Sequence, residues 1–300
     1  MASYKNLFLL HFIVLIFGFT GILGKLISID AEPLVFWRCL IGSIALGVFM
    51  ALRGKVRRLP WKTVARLAGI GAIAATHWIT FFGAIKVSNV SVALATLASS
   101  ALFVSLFAPL VTPKRFDWRE SVLGLMVIIG ITIILKVETQ YTLGIILALI
   151  SAFLAGVFST FNSLEVQKHD ALNISLYELG SAAVLVFLYL AVRGEVSMAL
   201  VKMPATDWLW LTLLATVATA FAYVVSVSVM RELSPFTVAL AINMEPIYSI
   251  ILALWIFGEE EKMSPGFYQG AALILLALVI DAVRQRSARR SQRQSSVQAN

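Results

Sequence analysis

The sequence predicts an all-α polytopic membrane protein with ten transmembrane helices, arranged as two inverted five-helix repeats. Three observations lead to this prediction. The chain is 60% hydrophobic and only 13% charged, with a mean hydropathy of +0.90, whereas soluble proteins carry about 25% charged residues. Apolar runs of membrane-spanning length follow one another along the chain, and similar short sequences recur between its two halves.

Ten apolar runs each approach the roughly 20 residues that a spanning helix needs. In the first half they are residues 6–24, 34–52, 64–85, 90–111 and 120–136. In the second half they are residues 142–162, 171–192, 207–229, 235–257 and 266–283. The connectors are short and carry most of the charge, so no extramembrane domain fits between the runs.

Lysine and arginine residues predict the orientation, because cytoplasmic loops of membrane proteins carry an excess of both. With a cytoplasmic N-terminus, 17 of the 24 basic residues fall on the cytoplasmic side and 7 on the outer side. We therefore expect a multi-pass protein of the cell (inner) membrane with both termini in the cytoplasm. The basic residues of the tail over 284–300 either contact anionic lipid headgroups or act as a stop-transfer cluster.

An internal repeat links the two halves. The tetrapeptide "VALA" occurs at 92–95 and again at 238–241, an offset of 146 residues. The pairs that agree with this offset are Ser88 with Ser234 and Gly124 with Gly270. The second and seventh runs end alike, in "MALRG" (50–54) and "LAVRG" (190–194), at an offset of 140. Matches in the same order and at similar spacing indicate a duplication.

Each copy of the repeat contains five spans, an odd number, so the second copy begins on the opposite side of the membrane and lies inverted. Inverted repeats are typical of secondary transporters, whose solute sites lie near the membrane midplane between the repeats. The predicted domains are a first repeat over 1–138, a second repeat over 139–283 and a disordered basic cytoplasmic tail over 284–300.

Two segments resemble a known family. "HWITFFGAIKVSNVSVALATLASSALF" (77–103) and "LSPFTVALAINMEPIYSIILALWIFGEE" (233–260), together with ten spans in two repeats, are similar to the drug/metabolite transporter (DMT) superfamily, EamA type. The resemblance implies secondary active or facilitative transport of a small metabolite such as an amino acid, mostly by export. It also implies a central cavity lined by the first, third, fourth, sixth, eighth and ninth helices.

The ninth run contains an acid and a helix breaker near its centre, Glu245 and Pro246. Charged residues at this depth cost a few kcal/mol and usually face a cavity or a partner, and proline removes one helical hydrogen bond. Two interpretations stay open: Glu245 binds a proton or a cationic solute group, or it pairs with a neighbouring helix. Asn243 is a predicted solute ligand, yet it lies roughly 200° from Glu245 around a regular helix.

The eighth run carries a stripe of hydroxyl side chains at helical spacing, comprising Thr212, Thr216, Thr219, Tyr223 and Ser226. Such a stripe suits either close helix packing or a hydrated solute path. Thr219 and Tyr223 are predicted to bind the solute. At the offset of 146, Tyr223 corresponds to His77 of the third run, so both related positions carry a ring with a hydrogen-bonding group.

The third run supplies further predicted solute ligands, His77, Trp78 and Phe81, and Ser99 of the fourth run completes the set. Histidine titrates near neutral pH, so His77 is either a proton carrier or a packing residue. Phe81 lies one turn beyond His77 on the same helix face, whereas Trp78 lies on another face and meets lipid or solute.

Four charged residues, Glu245, Glu178, Arg38 and Lys86, are predicted to couple protons or to charge the cavity. Glu178 corresponds to Arg38 at the offset of 140, and inversion places the two near opposite membrane faces, so we expect no direct ion pair. Arg38 and Lys86 also lie near enough to the outer surface to extend their charges to it along an apolar stem. The acids favour a cationic solute, and the two basic residues favour an anionic one.

The alternatives are an intramembrane enzyme and a channel or scaffold without solute flux. The sequence contains neither H-E-x-x-H nor G-x-S-x-G, and it has no P-loop for ATP. With a single cysteine, Cys39, no intrachain disulfide forms. We expect no cofactor, no metal and no nucleic acid. The expected partners are a small-molecule solute and membrane lipids, and the expected oligomeric state is a monomer or a weak homodimer.

Overall fold

The computed structural model describes residues 4–112, 118–197, 200–242 and 244–298. Within these ranges the regular structure is helical. The helices of the first half are α1 (Tyr4–Gly18), α2 (Thr20–Leu26), α3 (Ala31–Leu52), α4 (Trp61–Val87), α5 (Val90–Leu97), α6 (Ser100–Val111) and α7 (Trp118–Val137). Those of the second half are α8 (Thr142–Glu165), α9 (Ala171–Val192), α10 (Ala205–Ala215), α11 (Ala222–Val229), α12 (Pro235–Ile242), α13 (Glu245–Phe257) and α14 (Pro265–Gln298).

Long apolar helices dominate the bundle. Among the described residues, seven helical segments are long and apolar enough to cross a membrane: Phe8–Leu26, Ala31–Leu52, Trp61–Val87, Val90–Val111, Thr139–Glu165, Ala171–Val192 and Ala205–Val229. Two shorter apolar helices, Val122–Val137 and Pro265–Ala277, lie in α7 and α14. The prediction of an all-helical, multi-pass membrane protein is therefore confirmed.

Three of the ten predicted apolar runs, numbered here as segments in chain order, are broken near their middles. The first breaks at Phe19 between α1 and α2, the fourth at Ala98 and Ser99 between α5 and α6, and the ninth before Glu245 between α12 and α13. The eighth contains a π-helical turn, Thr216–Phe221, between α10 and α11. Breaks at membrane depth are tolerated where protein or a watery cavity satisfies the freed backbone groups.

The break in the ninth segment follows from its sequence. Pro246 stands in the first turn of α13, where its missing N–H would have no helical partner in any case. The N–H of Met244 closes the preceding turn on the carbonyl of Ala241, at 3.0 Å. Glu245 thereby becomes the first residue of a helix, where the helix dipole favours a negative charge.

Glycines allow helices of the two halves to approach closely. A Cβ on Gly71 of α4 would come within 2.5 Å of the Glu178 carbonyl oxygen in α9. Gly130 of α7 and Gly270 of α14 contact each other reciprocally, since a Cβ on either one would meet the backbone oxygen of the other at 2.6–2.7 Å. Helix α7 therefore packs on α14, and α4 packs on α9.

Basic residues complete two helix ends in the same way. The Lys86 ammonium, at the end of α4, donates to the carbonyl of Ile27, the C-cap residue of α2. Arg231, after α11, donates to the carbonyls of Val166, the C-cap residue of α8, and of His169, at 2.9–3.1 Å. The Lys86 side chain is half-buried, and its ammonium is held at the end of α2.

Candidate functional site

A cavity of about 100 Å³ lies between the two halves of the chain. Its wall includes residues from each of the six helical segments expected from the resemblance, and the second segment adds Arg38. The polar lining residues are Thr20, Arg38, His77, Ser100, Ser159, Tyr223, Ser226 and Glu245. Pockets for drug-sized ligands have volumes of roughly 300–1,000 Å³, so this cavity suits a small solute.

Arg38 is the cationic group of the cavity. Its side chain is 2% exposed, and its guanidinium carbon lies 4.4 Å from the ring centre of Trp78 and 5.3 Å from that of Phe82. Its Nε donates to the Thr219 hydroxyl at 3.0 Å, whereas its Nη1 is buried and has no hydrogen-bond partner among the described residues. The expectation that Arg38 extends to the outer surface is wrong, since two aromatic rings and Thr219 hold it inside.

The π-helical turn positions Thr219. Its hydroxyl donates to the carbonyl of Leu214, five residues earlier, at 2.7 Å, and it accepts from Arg38. A π turn shifts the helix face for the residues that follow it. Tyr223 and Ser226 therefore reach the cavity with Thr219 beside Arg38, whereas Thr212 is exposed on the outside. The predicted continuous hydroxyl stripe is wrong for this reason.

Glu245 is the acidic group of the cavity wall. It begins α13, is 5% exposed, and lies close enough to Arg38 for an electrostatic interaction. One further turn along α13, the hydroxyl of Ser249 donates to the carbonyl of Gly18, where α1 ends, at 2.7 Å. The break in the ninth segment thus presents a carboxyl group to the cavity while α13 is fixed against α1.

Aromatic rings form the remaining wall on the side of α4. Trp78 meets Tyr223 edge-on with ring centres 5.5 Å apart, and His77 stacks on Phe81 at 6.4 Å. The Nδ1 atom of His77 lies 2.9 Å from the carbonyl oxygen of Ser151 and 2.8 Å from its hydroxyl. These two contacts fix the imidazole against α8, which favours the packing interpretation of His77.

Behind Tyr223 lies a second polar group. The Tyr223 hydroxyl donates to Oε2 of Glu178 at 2.6 Å. The Asn162 amide donates to the same carboxyl oxygen at 3.2 Å and to the Tyr223 oxygen at 3.1 Å. Glu178 is 1% exposed, and its Oε1 is without a partner. Within the described part of the chain, Tyr223 is the residue that contacts this acid and also lines the cavity.

The family of the chain follows from its sequence profile. The profile of the EamA-like transporter family matches residues 5–136 and again residues 142–280. The chain belongs to the EamA-like transporter family. Two matches, one in each half, cover nearly the whole chain, and with the apolar helices they make the protein a multi-pass membrane transporter.

Proteins described as uncharacterized transporters and one solved structure are similar over most of their length. An uncharacterized transporter of Archaeoglobus fulgidus is 22% identical over 263 residues, covering 88% of this chain and 91% of the relative. The uncharacterized transporter YxxF of Bacillus subtilis is 20% identical over 285 residues, covering 91% of this chain and 88% of the relative. A crystal structure at 18% identity superposes with a TM-score of 0.65, covering 93% of this chain and 97% of that chain, which shows a shared fold.

In this EamA-like transporter the structure brings most of the predicted site residues together. Those that line the cavity are Arg38, His77, Trp78, Phe81, Tyr223 and Glu245. Thr219 and Glu178 touch cavity residues from behind. Ser99 is the N-cap residue of α6 and donates to the carbonyl of Thr96, so its neighbour Ser100 faces the cavity instead.

Two predicted residues lie elsewhere, and two residues of the site were not predicted. Lys86 is not among the residues of the cavity wall and binds Ile27, while Asn243 lies outside the described residues. Asn162 was not predicted, although an amide in the apolar sixth segment is a signal of the same kind as Glu178. Thr20, whose buried hydroxyl is unpartnered at the wall, was also missed.

Proposed function

We propose that the protein is a secondary active or facilitative transporter that exports a small metabolite, such as an amino acid or a related solute, by alternating access. The observation that carries this proposal is the pair of opposite charges in one cavity. Arg38 comes from the first half of the chain and Glu245 from the second. A solute that contacts both therefore bridges the two halves.

An amino acid fits the chemistry of this pair. Its carboxylate would accept hydrogen bonds from Nη1 of Arg38, which has no protein partner, because guanidinium groups bind carboxylates through parallel N–H bonds. Its ammonium group would be attracted to Glu245. Its side chain would pack against the rings of Trp78 and Phe81. Each part of the solute thus has a counterpart in the wall.

Alternating access requires two similar halves in opposite orientations, and we infer ten spans in two inverted repeats. Three structural features support this inference. The fourth and ninth segments are both broken near their middles, with N-cap residues Ser99 and Met244. Lys86 and Arg231 complete corresponding helix ends, and the contact of Gly130 with Gly270 is reciprocal.

Contacts between the halves occur at both ends of the bundle. At one end, Lys25 of α2 pairs with Glu261 at 3.0 Å, and the Ser28 hydroxyl donates to Asp207 of α10 at 2.5 Å. At the other end, Arg66 of α4 pairs with Glu165 of α8 at 2.7 Å. From the distribution of Lys and Arg we infer that the first end is extracellular and the second cytoplasmic. Opening either end exposes the cavity to one side.

Counterflow in proteoliposomes tests this function. Vesicles containing the purified protein are preloaded with an unlabelled mixture of proteinogenic amino acids and then diluted into the radiolabelled mixture. We expect the label to accumulate transiently, and to do so only in vesicles that contain the protein. The absence of counterflow with folded protein would contradict the proposed substrate class.

Two variants locate the site within the same assay. Arg38→Gln and Glu245→Gln each remove one charged contact, worth about 1.5–3 kcal/mol or roughly 10- to 150-fold in the apparent affinity. Arg193→Gln is the matched control, because Arg193 is exposed and pairs with Glu195 at 2.8 Å outside the cavity. Equal counterflow in all three variants would show that the solute does not bind to Arg38 and Glu245 in this cavity.

A further inference from the structure

We propose that Glu178, a buried acid outside the cavity wall, is the proton-binding site that couples solute movement to a proton gradient, and that Tyr223 is its connection to the cavity. The inference rests on the proposed function and adds the identity of the coupling ion and its ligand. Glu178 belongs to α9, which contributes no residue to the cavity wall in the described part of the chain.

The polar cluster around Glu178 has fewer hydrogen-bond donors than acceptors. The only hydrogen-bond donors described for Glu178 are the neutral groups of Tyr223 and Asn162, and both reach the same oxygen, Oε2. Two buried acceptors have no donor among the described residues, Oε1 of Glu178 and Oδ1 of Asn162. Buried acceptors are normally satisfied. A proton on the carboxyl group supplies the donor that this cluster lacks.

The charged side chains around Glu178 do not neutralise it. From α8, Glu165 faces it and is itself paired with Arg66 of α4. From α3, Arg38 is directed to Trp78 and Thr219 instead. In the described part of the chain no basic side chain forms an ion pair with Glu178. A carboxylate there would have a like charge nearby and no counter-ion, which is costly in a buried site.

Tyr223 provides a route for a proton between the cavity and Glu178. Tyr223 contacts Glu178 with its hydroxyl, and its side chain lines the cavity. When a hydronium ion occupies the cavity, Tyr223 can pass its hydroxyl proton to Oε2 of Glu178 while it takes one proton from the hydronium, which leaves a neutral water molecule. The tyrosine ends neutral, one proton has moved from the cavity to the carboxylate, and the reverse transfer empties the site. The Tyr223 side chain is therefore in contact with both the solute cavity and the carboxyl group that binds the proton.

Glu245 differs from Glu178 in both respects that matter for coupling. It stands at the beginning of α13, where the helix dipole stabilises a negative charge, and it interacts electrostatically with Arg38. We therefore assign Glu245 to the solute and Glu178 to the proton. Glu245 lies in the cavity wall, whereas Glu178 lies behind Tyr223, so each can be tested alone.

Gradient-driven uptake in proteoliposomes tests the inference. The radiolabelled amino-acid mixture is offered to vesicles with a pH gradient, with a sodium gradient, or with neither, and counterflow is measured at equal pH on both sides. For the wild-type protein we expect counterflow and additional accumulation under the pH gradient only. For Glu178→Gln we expect counterflow to persist and the additional accumulation to fall to the level without a gradient.

Glu138→Gln is the matched control, because Glu138 is also a buried acid but lies outside the cavity wall, and both of its oxygens accept hydrogen bonds, from the Ser264 N–H at 3.0 Å and from the Gln140 amide at 2.8 Å. We expect it to keep the response to the pH gradient. Wild-type counterflow without any effect of the pH gradient would overturn the inference and leave the proposed function standing. A response that Glu178→Gln retains, or one that follows sodium instead, would overturn it equally. Failure of wild-type counterflow would instead count against the proposed function.

A second measurement does not depend on flux or on the folding of one variant. Infrared difference spectra recorded between two pH values report the C=O stretch of a protonated carboxylic acid in the purified protein. We expect a titrating band that persists in Glu245→Gln and is lost in Glu178→Gln. If the Glu178→Gln variant does not fold, Tyr223→Phe replaces it, and the band should then shift because its hydrogen-bond donor is gone. A band unchanged in these variants would refute the assignment.

Discussion

Glu261 and Glu178 are both buried acids, 0% and 1% exposed, but their surroundings are opposite. The Glu261 carboxylate accepts hydrogen bonds from the backbone N–H groups of Val90 and Ser91 at 2.9–3.1 Å and from the Ser91 hydroxyl at 2.8 Å. It also pairs with the Lys25 ammonium at 3.0 Å. Glu178 receives two neutral donors on one oxygen and none on the other.

Burial does not by itself identify a functional acid in this bundle. Both oxygens of Glu261 have partners. Its carboxylate lies against the N-terminal end of α5, where the helix dipole favours a negative charge. Because it also pairs with Lys25, it joins α2 to α5. It is a structural contact between the halves. Glu178 is incompletely satisfied and has no counter-ion among the residues that the structure describes, which is the arrangement expected of a group that binds and releases a proton.

The largest effect that tests this comparison is expected for Glu261→Gln. The substitution removes the buried partner of Lys25 and weakens the bonds to α5, so the free energy of unfolding should fall by about 3–5 kcal/mol. Thermal or denaturant unfolding of the purified protein measures the change. Glu260→Gln is the control, because Glu260 pairs with the same Lys25 while 73% of its side chain is exposed, and it should cost at most about 1 kcal/mol. Equal effects of the two substitutions would break the comparison.

An intermediate effect is expected for Gly71→Ala, which disturbs the helix that carries Glu178. The added Cβ would meet the Glu178 carbonyl oxygen at 2.5 Å, so α4 and α9 must separate, at a cost of about 1–3 kcal/mol in stability. The same denaturation assay measures it. Gly69→Ala serves as the control on the same helix, because nothing lies within 4 Å of a Cβ there. A variant at Gly71 as stable as the one at Gly69 would contradict the close packing described.

The smallest effect on stability is expected for Glu178→Gln. The amide keeps an oxygen that can accept from Tyr223 and Asn162, and its NH2 group replaces Oε1, an acceptor with no donor among the described residues. The free energy of unfolding should therefore change by less than about 1 kcal/mol, the net value of a typical hydrogen bond. Unfolding at several pH values measures it. A loss as large as that of Glu261→Gln would show that Glu178 is a structural acid as well.

The sequence predicts the fold well because lipid imposes one strong rule, that long apolar segments form helices. The same physics explains the break before Glu245, since proline cannot complete the helical hydrogen bonds there. Position within a segment was less informative. Arg38 was expected near the outer surface, yet Trp78, Phe82 and Thr219 hold its guanidinium inside. Only the packed structure shows which partners a charge finds.

Side-chain direction was also beyond the sequence pattern in two places. The hydroxyl stripe of the eighth segment assumes a regular helix, whereas the π turn at Thr216–Phe221 turns Thr212 away from the later residues. Asn162 lies in α8 and Glu178 in α9, so their contact depends on how the two helices cross. Neither the extra residue in a turn nor a crossing angle leaves a clear mark in composition or spacing.

The central claim is that the two halves separate at one end of the cavity and then at the other. The pair Ser28→Cys and Asp207→Cys, at positions whose side-chain oxygens are 2.5 Å apart, can be joined through two disulfides by a short bifunctional methanethiosulfonate, and the native Cys39 is buried. Counterflow through the double variant is measured before crosslinking, after it, and after reduction, beside each single variant. The account predicts that crosslinking stops counterflow and that reduction restores it. Full counterflow through a completely crosslinked protein would contradict it.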